Sequence, residues 1–71
     1  MQVNCELAAN VWKIVVAVGD TVTAGQELMI LESMKMEIPV EAPCAGTVTA
    51  IHINEGEAAN EGQLLCDIDP S

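Results

Sequence analysis

The chain has 71 residues, 51% of them hydrophobic, with Trp12 as its only aromatic residue; eleven acidic residues against two lysines and no arginine give a formal net charge of -9. That length holds one domain, spanning residues 1–71, with a small aliphatic core. The acidity disfavours nucleic acid and anionic membrane surfaces and favours protein partners with basic or mixed surfaces. No apolar run reaches the roughly 18 residues of a membrane span, and no signal-peptide layout opens the chain, so a soluble cytoplasmic protein is expected. Taken in order, Val3–Leu7, Val11–Val16, Leu28–Ser33, Met36–Glu41, Thr47–Ile53 and Leu64–Ile68 read as short strands. The turns between them fall at Gly19-Asp20, Gly25-Gln26, Cys44-Ala45-Gly46, Glu55-Gly56 and Glu61-Gly62.

An offset of 37 aligns the chain with itself. Val11, Ile14 and Val16 fall on Val48, Ile51 and Ile53. Gly19-Asp20 and Gly25-Gln26 fall on Gly56-Glu57 and Gly62-Gln63, and Leu28 and Leu31 on Leu65 and Ile68. Neither half is large enough to bury its own apolar face. Two halves packed face to face predict an all-β fold, a flattened antiparallel barrel or sandwich with a pseudo-twofold internal repeat. The spacing of three and then two in Val11-Ile14-Val16 departs from strict alternation and recurs in the second half, which predicts a β-bulge in each. The same offset carries Lys35 just past the C-terminus and just before Met1, so the Met34-Lys35 connection should lie opposite both termini.

Pairing the strands around Met34-Lys35 as a two-residue hairpin sets Ser33 against Met36, Glu32 against Glu37, Leu31 against Ile38 and Met29 against Val40. This register gives one apolar face. The turn itself is ill suited to stability. Tight hairpins favour Asn-Gly or Asp-Gly, whereas here Met34 and Lys35 must take positive φ values. Glu32 opposes Glu37, like charge to like charge, and two methionines sit near an exposed tip. Local rules broken together mark a candidate functional site.

Elsewhere little chemistry is offered. Cys5, Cys44 and Cys66 are far apart, with no C-x-x-C pair and one histidine, so they read as small core side chains rather than a metal site or disulfide. Lys13 reads as a solvated strand residue, His52 as a surface histidine, and Trp12 as a partly exposed anchor covering the core. Glu55, Glu57, Glu61, Asp67 and Asp69 lack metal-loop spacing and read as a solvated face. With no nucleophile-base pair or phosphate loop, the chain is expected not to be an enzyme in its own right.

Glu32-Ser33-Met34-Lys35-Met36 resembles the E-A-M-K-M attachment motif of the biotinyl/lipoyl carrier domains. The likeness extends over Val11-Trp12-Lys13, Val18-Gly19-Asp20-Thr21-Val22, Gly25-Gln26-Glu27-Leu28, Ala42-Pro43, Gly46-Thr47-Val48 and Glu61-Gly62-Gln63-Leu64. The resemblance implies a biotin carboxyl carrier with biotin joined covalently to the Lys35 side-chain nitrogen. Met34 and Met36, with Glu32, Ser33 and Glu37 around the hairpin, would be read by biotin protein ligase. A lysine is a cation near neutral pH and a poor nucleophile in that form, so the ligase would have to deprotonate Lys35. The implied partners are a biotin carboxylase that loads the arm and a carboxyltransferase that unloads it onto an acceptor. An acyl-CoA such as acetyl-CoA, as in the acetyl-CoA carboxylase of fatty acid biosynthesis, is the acceptor expected. The carrier domain itself is expected to be monomeric. Flanking methionines favour biotin over lipoate, whose domains usually carry D-K-[AV]. A lipoyl carrier of an oxo-acid dehydrogenase, or an unmodified interaction module, is the alternative. Ser33 replaces the family's usual Ala. Ala9 stands where many relatives have Gly, so the turn there is expected to be tighter or shifted. The short connection between Trp12 and Leu28 has no room for the thumb insertion of enterobacterial carriers.

Overall fold

Val, Ile, Leu and Thr in short alternating runs, broken every few residues by turn formers, make strands and leave no stretch for a helix. A computed structural model describes residues 1–71 and contains eight strands: β1 (Gln2–Asn4), β2 (Ala9–Ile14), β3 (Thr21–Val22), β4 (Glu27–Ser33), β5 (Met36–Glu41), β6 (Gly46–Ile51), β7 (Ala58–Ala59) and β8 (Leu64–Pro70). They form two four-stranded antiparallel sheets, ordered β1-β8-β6-β3 and β5-β4-β2-β7. The sheets stay separate, so the architecture is a flattened sandwich rather than a closed barrel.

The offset of 37 maps one sheet onto the other, strand for strand: β1 onto β5, β8 onto β4, β6 onto β2 and β3 onto β7. The halves do not pack face to face as compact units, however. Each contributes two strands to each sheet, because β3 pairs with β6 and β7 with β2. Both expected bulges are present at equivalent positions, between Val11 and Lys13 opposite β4 and between Val48 and Ala50 opposite β8. At each bulge the strand also bonds the adjoining turn of the other half. Val11 N–H donates to Glu57 O at 2.8 Å and Val11 O accepts from Gly56. The counterpart Val48 does the same with Asp20 and Gly19.

Four turns share one construction. Ala17-Asp20, Thr23-Gln26, Asn54-Glu57 and Asn60-Gln63 each close with a backbone bond from the fourth N–H to the first carbonyl, over a glycine of positive φ in third place. In each, the fourth side chain also accepts a bond from the first N–H, at 2.8–3.1 Å. Asp20, Gln26, Glu57 and Gln63 are therefore turn clamps. Glu55 likewise accepts the Ile14 amide at 2.8 Å, and Asp67 meets His52 Nε2 at 2.8 Å. Three acids expected to be a free solvated face thus have defined partners.

Between the sheets lies one aliphatic core that includes Val11, Val22, Leu28, Met29, Leu31, Val48, Leu65, Cys66 and Ile68, all nearly inaccessible. Burial of each large side chain stabilises the fold by roughly 1.5–3 kcal/mol. Trp12 is no part of it. The indole is 52% exposed on the outer face of its sheet, because the bulge turns residues 12 and 13 outward together between inward Val11 and Ile14. Ala9 also departs from expectation, lying in β2 opposite Ala59 rather than in a turn. All three cysteines are free thiols. Cys5 and Cys66 are buried, and burial, helped by the charge of Asp67, pushes the Cys66 thiol up to about 11.

Candidate functional site

The Lys35 hairpin is built by β4 and β5 in the register Ser33↔Met36, Glu32↔Glu37, Leu31↔Ile38, Ile30↔Pro39 and Met29↔Val40. Leu31 and Met29 are fully buried, with Ile38 and Val40 packed against the same core, so the ladder under the turn is fixed by burial. A slip of one residue would put Leu31 in water and Glu32 in the core. Pro39 is tolerated because β5 is an edge strand, where a missing N–H leaves no ladder partner unsatisfied.

At the tip, Met34 has φ 52° and Lys35 φ 65°, the only non-glycine residues with positive φ. Both central residues on the left-handed side is the geometry of a type I′ turn, which matches strand twist but costs non-glycine residues about 1 kcal/mol or more each. The fold accepts that cost and projects both side chains into solvent. Met34 is 88% exposed and Met36 60%. Lys35 is exposed and makes no ion pair, the sole ion pair being His52–Asp67. Glu32 and Glu37 face each other, both exposed, with no cation on either. A free primary amine, flanked by two exposed thioethers and two carboxylates, is what the hairpin presents. Ser33 is half-buried where β4 meets the turn.

The position relative to the termini follows the repeat. From the tip, β5 runs about 20 Å, at 3.3 Å per residue, to the Ala42–Ala45 connection. Met1 and Ser71 pack at that far end. Ser71 N–H donates to Ala45 O at 3.1 Å, and Met1 exchanges backbone bonds with Ile68. The long axis of the molecule is 34 Å, so Lys35 and the termini stand at opposite ends of it. An open depression of about 320 Å³ beside the tip is lined in part by Ala9, Asn10, Ser33, Met34 and Ala59. No three His, Cys, Asp or Glu side chains converge as metal ligands would.

With this geometry established, comparison with known proteins is decisive. The profile of the biotin/lipoyl attachment family, described as "Biotin-requiring enzyme", matches residues 3–68. The chain belongs to that family. It is 45% identical over 71 residues to the "Biotin/lipoyl attachment protein" of Bacillus subtilis, covering 97% of that protein. It is 48% identical over 62 residues to the "Biotin carboxyl carrier protein" of Streptococcus mutans, of which it spans 48%. Among solved structures, the Kluyveromyces lactis urea carboxylase matches at a TM-score of 0.91 and 36% identity, over 97% of this chain and 6% of that one. The fold is thus one that occurs both as a small protein and as a short segment of large carboxylases. Biotin, held covalently, is the cofactor that membership brings. The chain meets its one chemical demand, an unpaired and accessible amine.

The motif residues Glu32, Ser33, Met34, Lys35, Met36 and Glu37 are all brought to one hairpin. Lys13, the other lysine, is exposed on β2 beside Trp12 and has none of this surrounding. What residue-by-residue reading overlooked is the outer face of the lysine-bearing sheet. Comparison of the two halves at their outward positions would have found it.

Proposed function

We propose that Lys35 is the biotin attachment site and that residues 1–71 form a single carrier domain. An amide forms between Lys35 Nζ, which gives up a proton, and the carboxyl carbon of the biotinyl adenylate supplied by biotin protein ligase, as the bond from that carbon to the phosphate oxygen breaks and AMP leaves. The observation that carries this reading is the exposed Met34-Lys35 turn with its two positive φ values, strain retained at the end of the molecule furthest from the termini. Met34 and Met36 offer the ligase flexible apolar contacts. Glu32 and Glu37 offer charge, and Ser33 the small residue at the base of the turn. When bound, biotin supplies the group that takes up and gives back a carboxyl.

The rest of the chain is a rigid mount. It has no part in bond making, and its work is to hold the arm out so that it meets two enzymes in turn at high effective concentration. Those partners are a biotin carboxylase and a carboxyltransferase of the cytoplasm, and the acceptor favoured is an acyl-CoA such as acetyl-CoA. The relative named for both biotin and lipoyl attachment supports lipoate as the second reading. Methionine on both sides of Lys35 favours biotin. Intact mass after co-expression with a biotin protein ligase, with both cofactors supplied, decides between them. One biotinyl increment, lost in Lys35→Ala, is expected. A lipoyl increment, or no increment at all, refutes the proposal.

A further inference from the structure

The pseudo-symmetry provides an internal control. Any residue can be compared with its counterpart 37 positions away, which occupies the same place in the same fold. On the outer face of the lysine-bearing sheet, Trp12, Val15, Ile30 and Pro39 form an apolar stripe across β2, β4 and β5. Ile30 pairs with Lys13 at the bulge and with Pro39 on the other side, and Val15 N–H donates to Leu28 O at 3.1 Å just beyond β2. Trp12 is 52% exposed and Val15 42%. The counterparts on the other sheet are Thr49, His52, Asp67 and Gln2. These are polar, and three of them bond one another: Thr49 Oγ1 donates to Asp67 O and His52 Nε2 meets the Asp67 carboxylate. The fold therefore does not need apolar side chains at these places.

Apart from Lys13, which pairs with Ile30 at the bulge, the charges around the stripe are acidic. Glu32 opposes Glu37 at its upper end and Glu27 opposes Glu41 at its lower end, all four exposed. Like charges directly across a ladder are destabilising. On the other sheet the counterparts of Glu27 and Glu41 are Leu64 and Asn4, so that opposed pair is not repeated, while Asp69 repeats the acid of Glu32. An apolar stripe bracketed by two uncompensated carboxylate pairs is complementary to an apolar surface flanked by basic side chains.

We infer that the outer face centred on Trp12, Val15, Ile30 and Pro39 docks the enzyme that attaches the cofactor, through such a basic-flanked apolar surface. The inference rests on Lys35 being the attachment site. That enzyme, unlike those that meet the end of a loaded arm, must seat the amine itself and so must close over the hairpin. Ile30 lies five residues from Lys35, about 17 Å along the strand. An ordinary interface of about 800 Å² per partner spans about 32 Å, so one footprint that takes in the hairpin tip at its edge also covers Ile30.

The test is the initial rate of biotinylation of the whole chain by a purified biotin protein ligase. Trp12→Thr puts the opposite sheet's residue at the centre of the stripe and is checked for folding by its thermal melt. A fall in kcat/KM of roughly ten- to thirtyfold, carried by KM with kcat nearly unchanged, is expected for loss of an aromatic anchor. His52→Ala on the opposite sheet should match wild type. Glu27→Lys with Glu41→Lys tests the charges independently of the indole. Wild-type kcat/KM should drop several-fold between about 50 and 300 mM salt, and the double reversal should lower it at low salt and flatten the dependence. A folded Trp12→Thr protein within twofold of wild type overturns the inference. So does normal modification with slow turnover of the loaded carrier by a carboxylase, or a wild-type dimer that the substitution dissociates, since those assign the face to other occupants. Wild type that acquires biotin on Lys35 while Trp12→Thr behaves normally refutes the docking face alone. Wild type that never acquires it refutes both.

Discussion

If the Met34-Lys35 turn is kept for what it presents, then a sequence chosen only for the turn should be more stable and inert. Met34→Asn with Lys35→Gly supplies the residues that a type I′ turn prefers. Left-handed backbone costs an ordinary L-residue roughly 1–2 kcal/mol, and Asn and Gly relieve most of it. Against this, glycine's extra freedom in the unfolded chain costs roughly 0.5–1 kcal/mol. Met34 is 88% exposed and Lys35 unpaired, so truncating them forfeits little packing. The net gain is about 1–2 kcal/mol. For a domain of this size each kcal/mol moves Tm by about 4–8 °C, so the variant should melt about 5–15 °C higher, with a raised urea midpoint and unchanged slope. It should also take up no biotin. An unchanged or lowered Tm in a folded variant would refute the claim that strain is stored in this turn.

Other expectations follow from the core and the ladder. A Cβ on Gly46 would stand 2.8 Å from Ile68 Cγ2 and 2.9 Å from the Asp69 carbonyl carbon, so Gly46→Ala must push β6 from β8 and should cost roughly 2–3 kcal/mol in urea unfolding. Leu65→Ala, at a fully inaccessible site, should cost about 2–5 kcal/mol and leave the domain largely unfolded at 37 °C by circular dichroism. The Cys66 thiol is pushed from an ordinary 9.0 up to about 11, so the folded state holds its proton more tightly than the unfolded one. Its contribution to stability is complete below pH 9 and declines as pH rises from 9 to 11, by about 2–3 kcal/mol at most. Cys66→Ala should flatten that part of the stability-pH curve.

How much was legible in advance can be judged from particular residues. The hairpin register was, because Met29, Leu31, Ile38 and Val40 share one face and a slip of one residue inverts it. The two bulges were, because an irregular apolar spacing repeated at Val11 and Val48 is hard to produce otherwise. The partial exposure of Trp12 was, but not its place outside the core, since only the bulge turns residues 12 and 13 outward together. Nor were the clamps at Asp20 and Glu57, since a surface carboxylate and a turn clamp have the same composition.

The sequence alone determined six of the eight strands, the repeat, and a lysine held between two methionines at a hairpin tip, because each is written in local spacing and in the offset of 37. Only the tertiary structure decided that the halves interlock rather than stack. β3 and β7 are two residues each, too short to show periodicity, and they take their partners from the other half. It also decided which face of the lysine-bearing sheet is left apolar. Which residues share a face depends on non-local pairing and on where the bulges fall, and a chain read one residue at a time carries no record of either.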